Sequence, residues 1–285
     1  MRGRPADCSD ESYCKCVAHV SCLVQRAAAA HRIRENTKEG EGALAWHRCE
    51  VCRKPFSGET KVAASWFGVR FYLNGTGNDA DLLHLSRALM LLGNDMSEAG
   101  HRNEGVRMLR AALVTAGRIR GSNTRDKRIL AINSILVVAL EEDKRLDEAA
   151  ELERECLQAS RALYGVTDKR TIVHAVRMLS ISHQRGWRAE ETAESKKLAR
   201  EMWRVSRDVL GDDDVETRDF GVFFLNIYIM TYESHDDAPP DDRRLVKEII
   251  RVLPHMGLSL ENDMRGDMRA RRRRFAEAHH NNKNT

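Results

Sequence analysis

Residues 126–165 read DKRILAINSILVVALEEDKRLDEAAELERECLQASRALYG and hold two helical runs with a polar break between them. In the first run, Ile132 and Ile135 belong to an apolar stretch from Ile129 to Leu140. In the second, Leu146-Asp147-Glu148-Ala149-Ala150-Glu151 opens a helix, and Ala149, Leu152, Cys156 and Leu163 form one stripe. A stripe of this kind is core, so Cys156 reads as a buried thiol rather than a reactive one. Gly165 then stands where a helix ends and positive φ is needed.

The unit recurs. Asp126-Lys127-Arg128-Ile129 returns as Asp168-Lys169-Arg170-Thr171, and Arg161-Ala162-Leu163-Tyr164-Gly165 as Arg207-Asp208-Val209-Leu210-Gly211. Further helical stripes are Val106, Leu109, Leu113 and Ala116, then Leu198, Met202, Val205 and Val209. No proline lies between Pro55 and Pro239, as helical hairpins allow and sheets with tight turns rarely do. The expected fold is all-α, an α-solenoid with helix pairs near 79–121, 125–165, 168–211 and 214–253. A further helix near 258–278 is expected as a cap. The expected organisation is a zinc module over 1–58, a linker over 59–78, repeats over 79–254, then a cap and basic tail over 255–285.

The period, the opening of the second helix at Leu146 and the ending Leu163-Tyr164-Gly165 resemble kinesin-light-chain-type tetratricopeptide repeats. That resemblance implies a groove lined by the first helix of each pair, which takes a client protein or peptide. Asn133 and Asn226 interrupt apolar first helices and are the candidate peptide contacts. The alternative at each is an amide satisfied by a neighbouring backbone group.

Composition narrows the functional classes. Aromatic residues are 6% of the chain, too few for a barrel or sandwich built on aromatic pairs. No apolar run is long enough to cross a bilayer, and residues 1–30 show no signal-peptide pattern, so a membrane or secreted role is not expected. The net charge of +4 comes from the tail, where residues 265–285 alone carry +5. A nucleic-acid-binding fold would spread that excess over its surface, so nucleic acid is not an expected partner. Arg271–Arg274 reads as a solvated tail or as a nuclear-import patch, with a cytoplasmic location otherwise expected. Phosphate-binding, dinucleotide-binding, serine-hydrolase and His-Glu-x2-His motifs are all missing from the sequence, and no catalytic residue is assigned.

Six of the seven cysteines fall in the first 52 residues. Cys14-x-Cys16, His19-x2-Cys22 and Cys49-x2-Cys52 have the spacing at which close donor pairs reach one tetrahedral zinc ion. The pattern resembles the RING-variant (RING-CH) zinc finger, carried by Cys14-Lys15-Cys16, His19-Val20-Ser21-Cys22 and Cys49-Glu50-Val51-Cys52. A PHD finger needs Cys-x2-Cys where this chain has Cys14-x-Cys16. The resemblance implies a cross-brace: Cys14, Cys16, Cys49 and Cys52 on one zinc, His19 and Cys22 on a second with the first pair. Of that first pair only Cys8 is present, and two residues separate Cys16 from His19 where the family has about seven.

By the same resemblance the finger would engage a ubiquitin-charged E2, with Trp46 and Pro55 as apolar contacts and Arg53 as the cation bridging E2 and ubiquitin. Such a RING-type E3 ubiquitin ligase works by positioning alone. The alternative is a non-catalytic tetratricopeptide scaffold with a structural zinc knuckle.

Overall fold

A computed structural model describes residues 54–74, 77–121, 126–232 and 235–253. Among the described residues the protein is all-α. Its helices are α1 Gly58–Leu73, α2 Asp79–Glu98, α3 Arg102–Gly117, α4 Lys127–Glu142, α5 Leu146–Tyr164, α6 Lys169–Gln184, α7 Ala189–Leu210, α8 Val215–Thr231 and α9 Pro240–Val252. No helix among them is long and apolar enough to cross a membrane. The helix expected near 258–278 and the basic tail lie outside the described residues.

The repeated Asp-Lys-Arg of the sequence is a repeated helix cap. Asp126 accepts the Arg128 N–H at 2.8 Å, Asp168 the Arg170 N–H at 2.9 Å, and Asp214 the Glu216 N–H at 3.0 Å. Each carboxylate satisfies a donor that the first helical turn leaves orphaned, worth about 1 kcal/mol. Arg128 and Arg170 also fold their guanidinium groups back onto their capping Asp. Asn78 caps α2 in the related way, through the Asp81 N–H at 2.9 Å.

The turns inside the hairpins repeat as well. The His101, Arg145 and Trp187 N–H groups reach back five residues to the carbonyls of Met96, Leu140 and Ser182, at 2.8, 2.9 and 3.0 Å. This closure needs a left-handed residue just before the donor. Gly100 (φ 92°), Lys144 (φ 60°) and Gly186 (φ 82°) supply it. The second helices end as the sequence predicts, on Gly165 (φ 86°) and Gly211 (φ 91°).

The chain divides into two compact units, ending at Ala149 and beginning at Ala150. In the first, α1 packs on α2, α2 on α3, and α4 on both α2 and α3. Leu92, Val106, Leu109, Val137 and Leu140 form its buried centre. Burying each such side chain stabilises the fold by roughly 1.5–3 kcal/mol. The buried Asp95 carboxylate accepts the Ser65 hydroxyl and pairs with Lys61 Nζ at 2.9 Å, which fastens α1 to α2.

That attachment corrects the sequence reading, which left 59–78 as a linker. Val62, Ser65, Val69 and Tyr72 step by helical intervals and are all buried. The stripe is partly polar, and α1 carries no side-chain cap at its start, so neither usual helix signal stands out.

In the second unit Ile172, Leu179, Met202, Trp203, Phe220, Phe224, Tyr228, Val246 and Ile249 form the core. Cys156 of α5 is also buried, as its stripe implies. Val209, placed by sequence on the core stripe of α7, is 45% exposed, because the buried face turns through Ala199, Met202, Trp203 and Ser206 instead. Asp242 of α9 is wholly buried. It takes the Lys196 Nζ at 3.1 Å, the Tyr232 hydroxyl at 2.7 Å and the Arg200 guanidinium, which locks α9 onto α7 and the end of α8.

Candidate functional site

Cys8, Cys14, Cys16, His19, Cys22, Trp46, Cys49, Cys52 and Arg53 lie outside the described residues. Pro55 is half-buried just before α1. The two asparagines lie in first helices, Asn133 in α4 of the first unit and Asn226 in α8 of the second.

Counting from the caps gives each first helix a common register. Asn133, Ala175 and Gly221 are the seventh residues after Asp126, Asp168 and Asp214. Ala175 is wholly buried. A Cβ on Gly221 would stand 2.8 Å from the Trp203 ring and 3.0 Å from Ile249. The seventh position therefore faces neighbouring helices. Asn133 follows suit: its Oδ1 is buried and accepts no hydrogen bond from the described residues. An amide acceptor left so costs about 1–3 kcal/mol.

Asn226 occupies a different place, the twelfth, shared with Val138 and Ser180. Val138 is 38% exposed, and Ser180 and Asn226 are half-buried. The fifth and eighth positions lie on the same helical face. They hold Ala131 and Ser134 in α4, Val173 and Val176 in α6, and Asp219 and Val222 in α8, none of them buried. This is the open face of each first helix, only partly so in α6 and α8, where Val176 and Val222 lean on the second unit's core. Helices α6 and α8 pack side by side, so their open faces adjoin within the second unit.

Asp219 gives that face its electrostatic character. Burial, with Glu216 close by, pushes its carboxyl above the usual aspartate range. Among the described residues no cation lies within ion-pair distance of it, whereas Glu216 is paired with Lys169 at 3.7 Å. A half-buried carboxylate flanked by Val222 and Asn226 suits a bound chain that brings an N–H donor or a cation.

A second concavity, about 240 Å³, lies in the second unit among α5, α6 and α7, over Leu157, Met178 and Leu198. Its lining charges balance, Arg154, Arg161 and Lys197 against Glu191, Glu194 and Glu201, and two of the pairs meet: Arg161 with Glu201 at 3.1 Å and Arg154 with Glu191 at 3.8 Å. Balanced pairs leave no net field for a charged ligand.

Sequence reasoning chose the asparagines as local interruptions of apolar runs. It missed Asp219 and Ser180. The signal that finds them is the cap register, which requires reading Asp214 as equivalent to Asp126 and Asp168.

Neither a known protein family nor any curated protein matches the sequence. Solved structures do resemble it. A putative kinesin light chain from Podosopora anserina with nearly identical TPR-like repeats is 12% identical, over 85% of this chain and 99% of its own, with a TM-score of 0.51. Those figures are for a singly substituted form; a second structure of the same repeats gives the same identity and score over 84% of this chain. BtubC (BKLC) from P. vanneervenii is 13% identical over 76% of this chain and 90% of its own, with a TM-score of 0.46. At this identity the likeness to the kinesin light chain repeats shows the fold: TPR-like helical repeats.

Proposed function

We propose that this chain is a protein-interaction scaffold in which the adjoining open faces of α6 and α8, in the second unit, hold a segment of a client protein. The observation that carries the reading is the shared register of Val138, Ser180 and Asn226 on TPR-like repeats. Stacked helix pairs leave an extended concave surface, and a bound chain can run across neighbouring first helices. Small and polar groups there let a backbone approach and hydrogen-bond, and Asp219 adds a preference for donors. The non-catalytic scaffold is thus favoured over the ligase reading.

The finer reading, a zinc-binding RING-type finger that engages an E2, rests on the spacing of Cys14, Cys16, His19, Cys22, Cys49 and Cys52 and on the resemblance it carries. Counting zinc per chain before and after Cys49→Ser tests it, and ligase assays follow only if zinc is lost.

The scaffold reading is tested by selecting peptides from a random library on the full chain and measuring their affinity for Asn226→Ala. The expected loss is at least about tenfold, a missing hydrogen bond to a desolvated partner, with an unchanged melting temperature. Selected peptides that bind Asn226→Ala and Asp219→Asn as tightly as the parent would overturn it.

A further inference from the structure

Glu153 and Cys156 stand three residues apart on α5, which places both on one helical face. Opposite them, α6 contributes His174. A carboxylate oxygen, the thiol sulfur and an imidazole nitrogen from these three residues all lie within 4.8 Å of one another. Glu153 is 0% exposed, Cys156 1% and His174 6%. The Glu153 Oε1 and His174 Nδ1 are 2.7 Å apart, a hydrogen bond. The other carboxylate oxygen, Oε2, is buried and accepts no hydrogen bond from the described residues, among which the Arg177 guanidinium lies at 3.9 Å.

We propose that Glu153, Cys156 and His174 form a buried site for a divalent, thiol-accepting cation of the zinc class, separate from the N-terminal cysteine cluster. The donor set argues for that class. One thiolate, one imidazole and one carboxylate is a combination that zinc accepts, whereas calcium and magnesium require all-oxygen shells. Bond lengths of about 2.0–2.3 Å put donors around a tetrahedral zinc roughly 3.3–3.8 Å apart. The three atoms lie within 4.8 Å of one another, so none has to draw in by more than about 1 Å to reach that spacing.

On binding, the Cys156 thiol gives up its proton to solvent and ligates as the thiolate, the imidazole ligates through an unprotonated ring nitrogen, and the Glu153 carboxylate supplies the oxygen donor. Burial pushes both the Glu153 carboxyl and the Cys156 thiol upward, and a bound cation relieves both costs. Close by, the buried Ser160 and Thr171 hydroxyls join α5 to α6 at 2.9 Å, holding the two helices that carry the donors.

The test uses the full chain with Cys8, Cys14, Cys16, Cys22, Cys49 and Cys52 changed to serine, titrated with cobalt(II). The expected result is one equivalent bound, with a thiolate-to-cobalt charge-transfer band that zinc displaces. Adding Cys156→Ala abolishes the band, and His174→Gln weakens binding by at least about tenfold while helical circular dichroism is retained. In the unsubstituted chain, Cys156→Ala lowers bound zinc by one per chain. A folded six-serine chain that gives no cobalt band overturns the proposal, as does a zinc content that Cys156→Ala leaves unchanged.

Discussion

Gly93 of α2 and Gly105 of α3 face each other so closely that a Cβ on Gly105 would lie 2.7 Å from the Gly93 carbonyl oxygen. A Cβ on Gly93 would in turn meet the Gly105 carbonyl oxygen at 2.9 Å and Leu109 Cγ at 2.7 Å. Backbone meets backbone here, which lets the first hairpin close over Leu92 and Leu109, both wholly buried.

Gly105→Ala and Gly93→Ala are each expected to destabilise the protein by about 1–3 kcal/mol, because backbone cannot swing aside as a side chain can. The gain in helix propensity, roughly 1 kcal/mol, offsets only part of the clash. Urea denaturation of the two variants measures the difference.

Lys144 takes the left-handed position that glycine fills at Gly100 and Gly186. A residue with a Cβ is disfavoured there by roughly 1–2 kcal/mol, while glycine adds chain entropy to the unfolded state. Lys144→Gly is therefore expected to stabilise the protein by about 0.5–1 kcal/mol. Gly100→Lys and Gly186→Lys should do the opposite, and thermal melting of the three variants checks the pattern.

Asp242 holds two cations and a phenol while wholly buried. Removing it leaves Lys196 and Arg200 without their shared counter-charge, and Asp242→Ala is expected to cost about 3–5 kcal/mol. Asp242→Asn keeps hydrogen-bond acceptance and should cost less. A double substitution, Asp242→Leu with Lys196→Met, is expected to recover part of the loss. Chemical denaturation of the three variants ranks them.

Acid should act through the caps. Arg170 beside Asp168 holds that carboxyl at about 2, below the usual 3.8. The unfolded chain then takes up the proton first. The cap's contribution is complete above about pH 4 and is lost as pH falls toward about 2. Asp168→Asn can still accept the Arg170 N–H but carries no charge, so its stability should fall less steeply than the parent's over that window.

The repeats were legible because a cap and a helix end recur in words the sequence repeats: Asp126 and Asp168, Gly165 and Gly211. Other features were hidden for physical reasons. Helix α1 buries Ser65 and Gly68 beside its valines, so its stripe is not uniformly apolar. Asp214 performs the same cap without the following Lys-Arg, which hid the register that sets Asn133 apart from Asn226. The Glu153–His174 bond joins two helices at a separation no periodicity marks. Cys156 could be placed in the core from its stripe, but its neighbours could not.

The most direct measurement is the affinity of a library-selected peptide for two full-length variants that differ in which face carries the change. Ser180→Arg puts a bulky cation on the open face of α6, and Gln158→Arg puts one on exposed α5. The account predicts that Ser180→Arg weakens binding by about a hundredfold, roughly 2.7 kcal/mol, and that Gln158→Arg leaves it unchanged. Equal binding by both variants, or loss confined to Gln158→Arg, would contradict it.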